Sequence, residues 1–504
     1  MKKRIQKYTA VFLALSLISI PVMASGPLFV KAENTFMDSD ESLPLGTASD
    51  VPAALEDESA EEIAVGQTEE AVAEVEDVEE AFSDGESEAA MLLDDSRARE
   101  VWLNGGQSDN RNQQNYTLAW SKPVNSYLVS TGNGYMRVEN KENQILVEYY
   151  NRALEFQSQK FIPGELRIFG GFYAGSENYY LAFGQNNESE NNNQEVVRVV
   201  KYDKNWNRLG QASLYGANTT QPFAFGSLRM IEYGGYLYVR SCHVMYKSDD
   251  GLNHQSTLSM QIRTSDMTAV DSAYLVESKG GYVSHSLNQF ITVDNNGYLL
   301  SLDHGDAYPR GAALTKYETS AGSTPLSGKT KRELVVSFPG GVGQNDTGAS
   351  LGGLEASSSH YLTAGNTVTQ DSQFMSYKTR NVYVTATSQN DVGNGQSISR
   401  YYTNYPEGNP ISASTPHLVK LGDDSFLLLW AQMENSQANG KICYIYLNGK
   451  GRPTSGVYTK NGYLSDCQPI VANGKVIWYV TDRQNLTFYQ ISETVLTAQE
   501  ILMN

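Results

Sequence analysis

Cysteine is nearly missing from this chain, with three in 504 residues. That excludes a disulfide-built scaffold and a Cys-rich zinc protein. Basic residues are also scarce, 38 Lys+Arg against 57 Asp+Glu. A net charge of −19 argues against nucleic acid, because phosphates are held by clustered cations. The apolar run from Ala10 to Ala24 is too short for the ~20 residues of a comfortable membrane span. There is no P-loop, no GxSxG, no HExxH and no CxxC, so the chemistry those motifs carry is not indicated. No cofactor and no metal are expected.

What the first residues do have is the pattern of an export signal. Lys2, Lys3, Arg4 and Lys7 precede the apolar run, and small residues follow it. Small-x-small cleavage sites end at Ala24 and at Ala32. The second is preferred, which makes 1–32 the signal peptide. No Cys lies near it and no hydrophobic, basic-flanked tail closes the sequence, so no lipid, sortase-type or other membrane anchor is expected after cleavage. The expected location is secreted, extracellular or cell-wall associated.

The negative charge is concentrated. Between Glu33 and Asp95 there are 22 Asp+Glu and no Lys or Arg. Such a segment repels itself and buries too little apolar surface to order alone. Residues 33–98 therefore read as a disordered acidic linker, and the rest of the chain is close to neutral.

From residue 99 the texture changes. The chain holds 32 Tyr and 43 Gly but 15 Pro. Short β-branched and aromatic runs alternate with Gly/Asn/Asp turns, which is an all-β signal. One pattern recurs, a polar turn followed by an aromatic strand: GNGYMRVE (132–139), SENYYLAFGQ (176–185), YGGYLYVRSCHV (233–244), NNGYLLSLDHGD (295–306), SSHYLTAGNTV (358–368), DDSFLLLWAQM (423–433) and NGKVIWYVTD (473–482). The spacing of about 40 to 65 residues is that of propeller blades. Residues 99–504 thus read as a seven-bladed β-propeller of four-stranded blades, with six blades as the alternative. The last repeat lacks a fourth strand. Asn115 to Trp120 (NYTLAW) is the strand expected to complete it, with Tyr116–Leu118 pairing to Leu486–Ile491, because closure removes an exposed sheet edge.

Part of the chain resembles a group of uncharacterised secreted repeat proteins of Gram-positive bacteria. The residues concerned are His285-Ser286-Leu287-Asn288-Gln289-Phe290, Asp303-His304-Gly305-Asp306-Ala307-Tyr308-Pro309-Arg310, Gly352-Gly353-Leu354-Glu355 and Ala364-Gly365-Asn366. The resemblance covers about a third of the chain. It implies an exported, surface-exposed repeat domain and no particular reaction.

Imidazole and carboxylate are the groups needed for proton transfer or sugar hydrogen bonds. In a propeller they matter most where inner strands begin and where the loops between second and third strands return. His285, Glu355 and His417 are placed near inner-strand starts, and His243, Asp303, His304, Asp306, Asn366 and Gln432 near second-strand ends. The ligand-binding candidates are His285, Asp303, His304, Asp306, Glu355, Asn366 and His417. Of these, His285, His304, Glu355 and His417 are expected to converge at one channel mouth. Asp303 and His304 also fit a structural role, because buried polar groups seek partners. His254 and His360 read as solvated turn residues. Glu355 with Asp303 or Asp306 would supply the paired carboxylates of a glycosidase. Against a sialidase-like enzyme, Ser248-Asp249-Asp250-Gly251 is one degenerate Asp-box fragment without repeats. Cys242, Cys443 and Cys467 read as small buried hydrophobes, with Cys443–Cys467 the one sequence-near pair. The expected function is an exported binding module for glycan or protein. The alternatives are a glycan-active hydrolase or lyase, and a purely structural repeat.

Overall fold

The structure is a computed structural model. It describes residues 109–111, 124–141, 143–275, 281–344, 346–482 and 485–494. The expected signal peptide, the acidic linker and the closing strand at Tyr116–Leu118 lie outside these residues.

Each of the seven aromatic repeats forms the second strand of its own antiparallel sheet, and the seven sheets are the blades of a β-propeller. Blade 1 runs through Ser126–Thr131, Gly134–Lys141, Gln144–Asn151 and Phe156–Pro163. Blade 2 runs through Ile168–Ala174, Tyr179–Gly184, Glu195–Tyr202 and Arg208–Tyr215. Blades 4 and 5 repeat the pattern, with Ser286–Val293 and Ala349–Ala356 as inner strands and Tyr298–Asp306 and His360–Thr367 as second strands. Blade 7 has three described strands, Ile470–Ala472, Lys475–Thr481 and Leu486–Ser492. Blades 3 and 6 differ. Their inner strand is broken in two, Thr219–Pro222 with Arg229–Tyr233 and Ile411–Ala413 with His417–Gly422. Both pieces pair with one long second strand, Tyr236–Lys247 or Ser425–Glu434.

The second strands are mostly buried because both of their faces are covered by neighbouring blades, so the polar residues they carry, such as Arg137, Arg240 and Asp303, are paired. Tyr179–Gly184 is buried at every position. A separate apolar cluster fills each gap between blades. Met136, Val138 and Val147 meet Phe172 and Leu181 between blades 1 and 2, and Leu362 and Val384 meet Leu428 and Trp430 between blades 5 and 6. The turns into the second strands are tight. Gly234 and Gly235 (φ 59° and 83°) and Asn473 and Gly474 (φ 54° and 76°) adopt the left-handed pairs that two-residue hairpins require. The Asp294–Gly297 turn is also a hairpin, with the Asp294 carboxylate accepting the Asn296 and Tyr298 backbone N–H groups at 2.9 Å.

The ring closes by packing blade 7 on blade 1. Leu128, Tyr135 and Tyr150 pack with Ile477, Tyr479 and Phe488. Asn125 N–H donates to Asp466 Oδ2 at 2.8 Å. Fully buried Arg137 bonds Glu148 at 2.8 Å and also Glu139, with its guanidinium 5.2 Å from the centre of the Tyr479 ring. Residues 109–111 join the same blade. Thr481 N–H donates to Asn110 Oδ1 at 2.7 Å, and Asn110 N–H returns a bond to Thr481 O at 3.2 Å. This described piece of the preceding chain bonds the end of the second strand, not the outer edge where Tyr116–Leu118 is expected.

The three cysteines are free and buried. The Cys443–Cys467 pairing does not form.

Candidate functional site

Two ends of the ring are distinguished by chain direction. At the entry end the inner strands begin and the second strands finish. At the hairpin end the inner strand turns into the second.

His285 and Asp306 meet at the entry end of blade 4. Strand pairing sets Ser286 opposite Gly305, so the residues just outside that pair are brought side by side. His285 Nδ1 lies 2.9 Å from Asp306 Oδ1. The Asp306 carbonyl accepts Gly343 N–H at 2.9 Å and Arg310 Nη1 at 2.8 Å. Asp306 is thus buried and fixed, while the His285 side chain keeps 25% of its surface. His285 holds a left-handed backbone (φ 52°), an uncommon conformation that the surrounding bonds maintain. The His254 ring stacks 6.3 Å away and its Nε2 is 2.7 Å from Asp250 Oδ2. The turn reading of His254 therefore becomes a second carboxylate-bound imidazole beside the first. Exposed aromatics flank the pair. Phe225 follows Ala224, whose carbonyl accepts Gln255 Nε2 at 3.3 Å, and the Tyr308 carbonyl accepts the Ser284 N–H at 2.8 Å; Phe225 and Tyr308 are 58% and 68% exposed. Beside them an open cleft of about 890 Å³ lies between Pro339–Gly340–Gln344 and Asp371–Ser376.

The other predicted residues are placed elsewhere. Asp303 is buried and faces blade 3. Arg240 Nη2 bonds its Oδ2 at 2.6 Å, and Ser286 Oγ donates to its Oδ1 at 2.9 Å. His304 is buried with Nε2 2.9 Å from the Thr347 hydroxyl and its ring 4.8 Å from Phe338. Burial and the nearby Arg380 and Arg310 push it down to about 3, so it is neutral. His243, buried between the Thr219 and Ser256 hydroxyls, is pushed to about 3 by burial. Asn366 donates to Ala413 O at 2.9 Å and accepts from Ser350. His417 sits half-way down the channel, with Nε2 2.9 Å from Ser465 O and Nδ1 3.2 Å from Gln468 Oε1. Glu355 pairs with Leu362 near the hairpin end. Part of its surface stays open, yet the enclosing protein pushes its carboxyl up to about 7, opposed by Lys420. The four-group convergence therefore does not form. Inner strands run side by side, and Glu355 lies three residues past Gly352. A side chain at Gly352 would run into the Pro416 carbonyl, which fixes Glu355 below the level of His417.

Sequence reasoning passed over a group in mid-channel. Arg229 opens the second piece of blade 3's inner strand, with its guanidinium 4.9 Å from the centre of the Phe290 ring on blade 4. Burial pulls its pKa down, and Tyr127 of blade 1 and Asp466, next to blade 7, act on it electrostatically. His417 of blade 6 also feels its charge. Its one sequence signal is a charged residue at the start of a strand whose neighbours are apolar.

No family model matches the chain. No curated protein matches it in sequence either. Among solved structures it is similar to a quinoprotein alcohol dehydrogenase-like protein from Bacteroides thetaiotaomicron, at 11% identity and a TM-score of 0.38, over 68% of each chain. It is also similar to an α-L-arabinanase from Penicillium chrysogenum solved with arabinobiose, at 8% identity and a TM-score of 0.35, over 77% of this chain and 99% of that one. The hemagglutinin-neuraminidase of parainfluenza virus 5 is similar at 9% identity and a TM-score of 0.33, over 72% of this chain and all of the other.

Proposed function

We propose that the protein is an exported binding module that takes a glycan at the entry end of blade 4. The observation that carries this reading is the His285–Asp306 pair, held 2.9 Å apart beside an open cleft and two exposed aromatics. A sugar presents hydroxyls to an oriented imidazole and C–H faces to aromatic rings, which supply area with a polar handle. Binding is favoured over hydrolysis by the fate of the carboxylates. Asp303 is neutralised by Arg240, Asp306 is committed to His285, and Glu355 stands near the opposite end of the ring. A glycosidase needs two carboxyls flanking one bond, about 5 to 10 Å apart.

The test is a titration of the full chain against a polysaccharide panel, with binding and product release read together. His285→Ala and Tyr308→Ala should each weaken binding by roughly tenfold, the scale of one lost hydrogen-bonding or stacking group. Tyr308→Ala should leave thermal unfolding unchanged, whereas His285→Ala also strips the buried Asp306 carboxylate of its partner and should lower the melting temperature. Release of reducing ends by the wild type would favour the hydrolytic alternative. Binding untouched by both substitutions would remove the entry-end site.

A further inference from the structure

Arg229 is the observation left over. A guanidinium carries five N–H donors and stays charged, so an enclosed one is normally met by a carboxylate or a set of carbonyls. Among the described residues Arg229 makes no side-chain hydrogen bond or ion pair, and its guanidinium lies over the Phe290 ring at 4.9 Å. Arg137 and Arg240 show what the same fold does with an arginine it uses structurally, since each is bonded to buried carboxylates. Arg229 is instead half-buried on an inner strand. Asp466, the acidic group that acts on it, accepts the Asn125 N–H at 2.8 Å and forms no ion pair with it within 4 Å. The guanidinium carbon lies over the Phe290 ring, and no hydrogen bond or ion pair to a described residue takes up its N–H donors. Gly171 lies against Leu228, the residue before Arg229, and near the Tyr127 hydroxyl.

We propose that this mid-channel position binds a carboxylate, which the Arg229 edge receives through two parallel N–H···O bonds. The ligand class is a small organic acid or the uronate unit of an acidic sugar. This inference does not rest on the entry-end reading, because its cation stands on blade 3 and Phe290 lies further along the blade 4 inner strand than His285.

The probes are acetate, citrate, glucuronate and, as the neutral control, glucose, each titrated into the full chain by calorimetry and thermal shift. At least one carboxylate is expected to bind and raise the melting temperature, while glucose does neither at mid-channel. Glucuronate alone points to a uronate, and citrate or acetate to a free acid. Arg229→Gln should weaken that binding at least tenfold, and Arg229→Lys should retain part of it. Both variants are expected to fold, because no bond of the scaffold depends on the guanidinium. Equal affinity in wild type and Arg229→Gln would overturn the proposal. So would the failure of every carboxylate to bind at tens of millimolar, or the failure of both variants to fold.

Discussion

Glu355 carries a cost that the rest of the inner strand does not. Its carboxyl is pushed up to about 7 by enclosure, against about 4.3 for a free glutamate. Between those values the folded state holds a proton that the unfolded state has lost. Its contribution to stability is therefore present below about pH 4.3 and is lost as pH rises to about 7. Glu355→Gln should raise the melting temperature at pH 8 and change it little at pH 4. Paired thermal melts at the two values check this, and an equal effect at both would contradict it. The candidate residues were readable in kind but not in company. His285 and Asp306 are 21 positions apart, and the hairpin between them joins them. Glu355 and His417 look alike in sequence, as polar groups near an inner-strand start, yet strand length separates them by level. Arg229 escaped because a search for histidines and carboxylates does not see a cation whose meaning is its missing partner.

At the scale of elements, the second strands and the short inner strand before each were legible, and the breaks in the inner strands of blades 3 and 6 were not. A strand covered on both faces is rich in apolar residues along its length, so YYLAFG and FLLLWA announce themselves. The inner strands of blades 3 and 6 are interrupted by segments 223–228 and 414–416, and nothing local records that the flanking pieces share one partner. Contacts between second strands are equally silent. Arg240 and Asp303 join the second strands of blades 3 and 4 by two bonds, at 3.2 and 2.6 Å, and both side chains are buried. Removing one partner leaves the other charge uncompensated. Asp303→Ala should cost about 3–5 kcal/mol in urea unfolding. The double variant Arg240→Met/Asp303→Ala should cost clearly less than the two single changes added together. Additive losses would show that the two groups act independently.

For the whole molecule, the ring is what turns seven similar sheets into two unlike ends. Each blade gap has its own apolar cluster, so most of the scaffold's packing lies away from the channel mouth. That frees the entry-end loops to carry recognition. It also explains why the reading of fold ran ahead of the reading of function. Blade number follows from a repeated strand pattern, whereas the site depends on which loops of one blade stand beside those of the next. The most direct measurement is amide hydrogen exchange of the full chain with and without a polysaccharide that binds it. The account predicts protection concentrated at the entry end, in segments 224–227, 284–286, 306–310 and 339–344. Protection confined to the hairpin end, at 233–236, 294–298 and 357–360, would contradict it.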